Sequence, residues 1–417
     1  MLELTVQAGD LDRHSPLVSA HVPLEALGAR YHEPGPLQFE GGALALRDAD
    51  HPDSAEDLVA QYDPAQQQLA FVIPGDVAAG SRRRFELDES AGGSPTIPSA
   101  GTYPVALIQK LDRVVWRTAG EAWATYNVQG GRRPYFWPVL GPAGASVVRG
   151  QGTGEHPHHT GMGLAYGGHS EGGSSNIWSD WDEPPYGPGG RMLHRGFRRI
   201  VGGPVYGELV EDLTYVNAYG DAFAEEVRTI RCWWASPQAR FLDFQFDIQG
   251  CHDRGPQPFL FMVRLPGVFD IPKTGRVTNA IGRPVPAPER RDRQYRAAWV
   301  DGSGPTGDPP PPPPTAPPET LVDLPGARPQ VQGPGNGPWN GLALFDHPGN
   351  DGFPGAIGKY AVVQQITQAH YPPAGAPNGP FTFRHRVYVH AGNADEAGVA
   401  AQAASYAQPC KVVVARR

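Results

Sequence analysis

Two runs of sequence decide the fold: EEVRTIRCWW at residues 225–234 and ARFLDFQFDIQG at residues 239–250. In each run, apolar and polar side chains alternate with a period of two. This alternation is typical of a strand that buries one face and exposes the other. The two runs therefore predict a pair of adjacent antiparallel strands.

Similar alternating segments recur on both sides of this pair. The only segment that favours a helix is residues 394–407, which is rich in Ala and Gln. One helix among a dozen strands predicts an all-β protein, built as a large antiparallel β-sandwich of the supersandwich type. The further strands are predicted at residues 113–118, 121–128, 206–216, 223–234, 240–248, 259–265, 341–345, 360–366 and 381–390.

The first part of the chain has shorter strands, predicted at residues 2–6, 17–22, 58–62, 69–73 and 82–87. They indicate a small N-terminal β-sandwich over residues 1–95, followed by a main domain over residues 96–417. Residues 301–338 carry six consecutive prolines, and proline cannot donate to a sheet ladder. We expect this stretch to form a long surface loop of the main domain.

Composition excludes several classes of protein. The 417 residues include 53 Gly and 46 Pro, too many for long helical bundles. The net charge of −8, without a Lys/Arg stripe, argues against nucleic acid as a partner. Three cysteines are too few for a disulfide framework. Because no secretory signal or long apolar run is present, we expect a cytoplasmic protein that does not enter a membrane.

The segment GTGEHPHHTGMGLAYGGHSEGG, residues 152–173, is the densest functional signal. Glu155, His156, His158 and His159 lie within five residues of one another. In an extended segment His156 and His158 share one face, where two imidazoles suit acid/base chemistry or half of a metal site. The alternative is that these histidines only hydrogen-bond backbone atoms around a tight turn.

Two further motifs carry candidate residues. In GLALFDHPGN, residues 341–350, an apolar strand leads directly into Asp346 and His347. These two side chains could act as base, orienting group or metal ligand, although Asp346 could simply cap the turn. In GGRMLHRGFRRI, residues 189–200, His194 and Arg195 are candidates for binding a substrate, because arginine pairs with carboxylates and vicinal hydroxyls.

Aromatic residues surround these motifs, and those in Gly/Pro-rich loops suit stacking on sugar rings. Together with Asp180, these aromatic residues give a composition typical of a polyol site. The predicted substrate-binding residues are this group and His159, His194 and Arg195. The aromatic members of this set are Tyr166, Trp178 and Trp181. Signatures for dinucleotide binding, P-loop chemistry, zincin proteolysis and serine hydrolases do not occur.

Six motifs occur in this order along the chain: RPYFWPVLGPAGASVVRG, EHPHHTGMGLAYG, GRMLHRGF, VTNAIG, GLALFDHPGN and FTFRHRVYVHAG. Together they resemble the DUF6807 family, often labelled "methane oxygenase"-like. The resemblance covers roughly residues 133–392 and implies a β-sandwich protein of bacteria with associations to carbohydrate breakdown. Where the family reads Arg after the HPHH block this chain has Thr160, and residues 301–338 replace a short turn. A histidine-bearing sandwich also resembles galactose-mutarotase-like enzymes at the level of fold.

These patterns favour a carbohydrate-active enzyme, in the first place a glycoside hydrolase with a small saccharide or glycoside as its partner. Glu155 or Asp346 would be the acid/base, with His156, His158 and His347 as partners. A sugar lyase or epimerase would instead use one histidine as base. A metal-dependent oxygenase or hydrolase would bind a divalent metal through His156, His158 and Asp346. The remaining alternative is a non-catalytic sugar-binding module. For its assembly, the sequence is compatible with a homo-oligomer.

Overall fold

The computed structural model describes thirteen stretches of the chain, and every structural statement below refers to them. Within them lie 25 strands and one α-helix. The strong excess of strand over helix confirms the prediction of an all-β protein. The described residues are 2–27, 42–51, 58–87, 104–150, 158–167, 173–180, 188–250, 257–269, 274–282, 296–306, 337–357, 365–372 and 379–416.

The strands of the first half are short. They are β1 (Leu2–Gln7), β2 (Arg13–His14), β3 (Leu17–His21), β4 (Gly42–Asp48), β5 (Leu58–Asp63), β6 (Gln68–Val72), β7 (Asp76–Val77), β8 (Arg82–Leu87), β9 (Val105–Gln109), β10 (Arg113–Thr118), β11 (Glu121–Asn127), β12 (Tyr135–Val139) and β13 (Met162–Tyr166).

Several strands of the second half are twice as long. They are β14 (Arg191–Val201), β15 (Tyr206–Val216), β16 (Ala222–Ser236), β17 (Ala239–Gln249), β18 (Phe259–Arg264), β19 (Arg276–Asn279), β20 (Trp299–Pro305), β21 (Trp339–Asp346), β22 (Ala356–Ile357), β23 (Gln365–His370), β24 (Phe381–Ala391) and β25 (Lys411–Arg416). Helix α1 (Val399–Ala407) precedes β25.

Three large sheets contain nearly all of these strands. We call them the N-terminal sheet, with order β25-β1-β8-β4-β5-β6-β3, the front sheet, with order β22-β23-β18-β13-β12-β11-β10-β9, and the central sheet, with order β14-β15-β16-β17-β24-β21-β20-β19. Strand β25, at the end of the chain, pairs with β1 at its beginning. The predicted division into two domains near residue 95 stays a prediction.

The predicted strand pair forms the middle of the central sheet, as β16 and β17. They run antiparallel, with Ile230 opposite Phe244 and Arg228 opposite Phe246. Because side chains alternate along each strand, Ile230 and Phe244 point to the same face, and that face packs on the front sheet. Phe244 lies edge-on to Phe136 of β12, with the ring centroids 5.8 Å apart.

The central sheet is buried on both faces. Its inner face packs on the front sheet to form the main hydrophobic core. Part of its outer face, including Trp233, Phe241 and Tyr388, packs against the N-terminal sheet and helix α1, which contribute Val59 and Val399. The molecule is therefore layered, with the central sheet between the front sheet and the N-terminal sheet.

Two predicted segments differ from the structure. The proline-rich loop was expected to begin at residue 301, but β20 continues to Pro305, which pairs with Trp339 at the strand end where proline is tolerated. Residues 307–336 lie outside the described residues. The helix begins at Val399 rather than at residue 394, after Gly398 in a left-handed conformation.

None of the helices in the described ranges is long and apolar enough to span a membrane.

Candidate functional site

A buried group of three side chains, which we call the Asp346 cluster, joins the two sheets of the sandwich. Asp346 ends β21, His385 lies opposite it on β24, and His370 ends β23 in the front sheet. The Nε2 atom of His370 is 3.0 Å from Asp346 Oδ1, and Nδ1 of His385 is 3.8 Å from the same oxygen. One ligand atom from each residue lies within 4.8 Å of the others.

Surrounding residues hold each member of the Asp346 cluster in place. The Asp346 carboxylate accepts hydrogen bonds from the Asn350 amide at 2.6 Å and from the Gly355 backbone N–H at 2.7 Å. Nδ1 of His370 is 3.1 Å from the backbone oxygen of Asp351. Gln368 Oε1 is 3.1 Å from His385 Nδ1. The arrangement is therefore fixed by contacts from several elements.

Burial and charge shift two pKa values in this cluster. Burial lowers the pKa of His385 to about 3, and the neighbouring His370 contributes in the same direction. Burial alone would raise the pKa of Asp346, but the hydrogen bond to His370 and the two nearby imidazoles lower it overall. At neutral pH the cluster therefore holds a neutral His385 beside an ionised Asp346.

Sequence reasoning identified Asp346 but missed His370 and His385. His385 follows Phe381 and Phe383 in an alternating strand, so its register places it on the core face. A histidine at a core position of such a strand requires a partner, and this signal could have found it. His370 stands in QAHYPP, where the sequence offers no comparable signal.

The histidine-rich segment lies partly outside the described residues, which include neither Glu155 nor His156. His158 and His159 are buried, and the His159 ring is 4.7 Å from that of Trp178. The backbone N–H of Asp180 donates to the His158 carbonyl oxygen, and the Asp180 carboxylate is 3.9 Å from the Arg133 guanidinium. Trp181 also lies outside the described residues.

The structure does not bring His158 together with Asp346. Trp178, which contacts His159, packs with Ala165 and Met262 on the outer face of the front sheet. His370 is paired with Phe259, whose side chain lies in the main core, so the Asp346 cluster is on the inner face. The expected metal set of His156, His158 and Asp346 is therefore corrected, since its described members lie on opposite faces of one sheet.

The other predicted binding residues are placed separately. Tyr166 is fully buried in the main core, where its ring is 4.9 Å from Phe259, so it cannot stack on a substrate. Nδ1 of His194 is 2.6 Å from the buried Glu211 carboxylate. Arg195 donates to the Thr214 hydroxyl at 2.8 Å. His194 and Arg195 therefore have partners within the protein, and a substrate-binding role for these two residues stays a prediction.

A cleft of about 340 Å³ opens on the outer face of the central sheet, and we call it the sheet–helix cleft. Helix α1 contributes Gln402, Ser405 and Tyr406, and Pro16 and Leu17 close another side. Four neighbouring strands present charged and polar side chains to it, because residues that alternate along each strand share this face. The charged and titratable residues on the sheet side are Glu208, Arg231, Asp243, His347, Arg384 and Arg386.

Two ion pairs fix part of the sheet–helix cleft. The Arg231 guanidinium is 2.7 Å from Glu208, and Arg386 donates to both oxygens of Asp243, at 2.5 and 2.8 Å. Arg384 donates from Nε to Gln245 at 3.0 Å. In the described part of the chain, Arg384 has no carboxylate within ion-pair distance, so the cleft carries one more guanidinium than carboxylate.

His347 faces this cleft, whereas the preceding residue, Asp346, belongs to the buried cluster. The two side chains differ because consecutive residues of an extended chain point to opposite faces of a sheet. The Gly349 N–H donates to Nδ1 of His347 at 3.0 Å, so the ring proton of the neutral imidazole is on Nε2. Burial, together with the nearby Arg384, lowers the pKa of His347. His347 is thus a neutral hydrogen-bond donor.

A second buried network crosses the main core near His194. Arg228 donates to Glu226 at 2.6 Å and to the Tyr126 hydroxyl at 2.9 Å. Tyr126 donates in turn to Glu211, which contacts His194. Burial opposes the charge of Arg228, but the adjacent Glu226 raises its pKa well above the usual value. We call this group the Arg228 network.

Two solved structures from Enterococcus faecalis are similar to this chain at low identity. One is a protein in glycosyl hydrolase family 38, with 10% identity and a TM-score of 0.47. The other is an alpha-mannosidase from strain V583, with 10% identity and a TM-score of 0.45. The matches cover 100% of this chain but 47% and 46% of those proteins, so the chain spans about half their length.

The chain matches none of the curated proteins with which it was compared. A family model does match, over residues 113–404, and its description is a family of unknown function, DUF6807. The match spans most of the central and front sheets and includes the Asp346 cluster. The chain therefore belongs to the DUF6807 family.

Proposed function

We propose that the chain is a carbohydrate-active enzyme that binds a saccharide in the sheet–helix cleft and cleaves a glycosidic bond there. The observation that carries the proposal is the composition of this cleft. Its volume falls in the range of small-molecule sites, and it lies between two structural layers, where such sites are common. Sugar hydroxyls need many fixed donors and acceptors, and the cleft supplies both.

The ion pairs of the cleft are suited to hydroxyl recognition. Each arginine holds its carboxylate in one orientation, and the partly exposed Asp243 can accept from sugar hydroxyls. Tyr406 adds aromatic surface to the lining. Preorganised polar groups of this kind lose little conformational entropy when a ligand binds.

The reaction we propose divides the work between His347 and Asp243. His347 donates a hydrogen bond from Nε2 to the glycosidic oxygen, which becomes negatively charged as the bond breaks. This oxygen then takes up the proton that the carboxylate base has removed from the attacking water. Asp243 acts as base toward the attacking water, and its pair with Arg386 fixes the orientation of the carboxylate. In this proposal the acid/base role passes from Asp346 to the cleft, because Asp346 is buried on the other face of the central sheet. Glu155 lies outside the described residues, so its role stays a prediction.

A lyase or epimerase acting on an acidic sugar is the second candidate, and Arg384 is the observation that favours it. A guanidinium without a carboxylate partner in the described residues is suited to the carboxylate of a uronic acid. Holding that carboxylate would acidify the neighbouring carbon, and Asp243 would take the proton from it. His347 would donate a hydrogen bond to the glycosidic oxygen that leaves, which then takes up that proton. Formation of a new carbon–carbon double bond in the product would distinguish a lyase from a hydrolase.

The test is a screen of 4-nitrophenyl glycosides and of uronate-containing oligosaccharides with the purified chain. Release of 4-nitrophenolate supports hydrolysis, and an unsaturated uronate supports a lyase. Binding without turnover would indicate a sugar-binding module instead. If no saccharide binds, or if Asp243→Asn and His347→Ala variants bind and react as the wild type does, the sheet–helix cleft is not the site.

The Arg384→Gln variant is expected to bind 4-nitrophenyl β-D-glucuronide about 10- to 100-fold more weakly, because it loses a charge-assisted hydrogen bond. Affinity for 4-nitrophenyl β-D-glucoside, which lacks the carboxylate, should change less than about twofold. Isothermal titration calorimetry measures both. Arg198→Gln is the matched control, since Arg198 pairs with Asp212 on the exposed surface. Equal losses for the two ligands would contradict the role of Arg384.

A further inference from the structure

We propose that Asp346, His370 and His385 bind a structural zinc ion that links the two sheets of the sandwich. The three side chains come from β21, β23 and β24, and each is nearly fully buried. Two imidazoles and one carboxylate are ligands that zinc accepts in proteins, and structural zinc sites are closed to solvent. This site differs from the sheet–helix cleft, which lies on the other face of the central sheet.

The distances between the donor atoms suit a tetrahedral ion. Ligands about 2.0–2.2 Å from zinc at tetrahedral angles lie roughly 3.4 Å from one another. His370 and His385 lie 3.0 Å and 3.8 Å from the Asp346 carboxylate, and all three donor atoms lie within 4.8 Å of one another. A cation at their centre therefore needs only small shifts of the three side chains.

Gln368 supplies a fourth group. Its oxygen lies 3.1 Å from Nδ1 of His385, and its nitrogen donates to the Ala297 carbonyl, which directs the oxygen toward the cluster. An amide oxygen completes a set of two nitrogen and two oxygen donors. Four donors from fully buried residues match the four-coordinate geometry of structural zinc rather than an open catalytic site.

The groups behind the donors are those expected around a metal site. The second nitrogen of His370 contacts the Asp351 carbonyl oxygen, and the second oxygen of Asp346 accepts from the Gly355 N–H. Such contacts orient metal ligands in known sites. The ion would connect the central sheet, which holds Asp346 and His385, to the front sheet, which holds His370 and Gln368.

Elemental analysis of the purified full chain tests this proposal. We expect about one zinc per chain, loss of zinc with a strong chelator, and a rise in Tm when Zn²⁺ is returned. The His370→Ala and Asp346→Asn variants should retain at least tenfold less zinc than the wild type. His390→Gln is the matched control, because His390 pairs with Asp301 at 2.8 Å in the same sheet and lies outside the cluster.

Folding of each variant is checked by circular dichroism. If His370→Ala and Asp346→Asn fail to fold, titration of the chelated wild type with Co²⁺ replaces them, since tetrahedral cobalt has an intense visible absorption. The proposal is overturned if the wild type retains no zinc and binds neither Zn²⁺ nor Co²⁺, or if the folded variants retain zinc as the control does. Saccharide binding in the sheet–helix cleft is measured separately and does not depend on this outcome.

Discussion

The His347→Ala variant is expected to lose about 10²- to 10³-fold in kcat/KM on the saccharide that the wild type turns over. This is the loss typical for removing one donor that stabilises charge in a transition state. His347 is a defined donor, because the Gly349 N–H occupies Nδ1 and places the ring proton on Nε2. Because the donor acts on charge that develops during the reaction, most of the loss should appear in kcat.

Steady-state kinetics of three variants measure this effect. His347→Gln keeps a donor in a side chain of similar reach, and we expect it to recover part of kcat. His14→Ala is the matched control, since His14 forms an exposed pair with Asp76 between β2 and β7. Zinc content should match the wild type in all three. If His347→Ala retains full kcat, His347 is not the donor.

The alternating runs predicted the fold well because burial dictates them. The two runs in residues 225–250 correspond to β16 and β17. The predicted bounds of the adjacent strands β15 and β24 agree with the structure to within one to two residues. Strand β14 was not identified, because its sequence RMLHRGFRRIV has a glycine and four arginines. Its pairing with β15 contains two register shifts, and these disrupt the period of two on which the prediction depends.

The candidate site was harder to predict because it depends on which residues distant in sequence come together. Local clustering favoured His158 with Asp346, yet the front sheet separates them. The residues that meet Asp346 come from strands 24 and 39 positions further along the chain. Similarly, Arg231, Asp243 and Arg386 each looked like an ordinary strand residue, and only sheet order places them in one cleft.

Removing Arg228 should destabilise the protein more than any surface substitution. The Arg228→Met variant preserves much of the volume but leaves the buried Glu226 carboxylate without its cation. Breaking a buried ion pair from one side costs about 3–5 kcal/mol of unfolding free energy. Removing the exposed arginine in Arg198→Met, which pairs with Asp212, should cost less than about 1 kcal/mol. Urea denaturation measures both.

The Glu226→Gln substitution separates charge from packing in this network. In the Arg228→Met/Glu226→Gln double variant the charge of Glu226 is removed together with its cation, so we expect most of the lost stability to return. A double variant as unstable as the sum of the two single variants would show that Arg228 acts through packing on Phe246 rather than through Glu226.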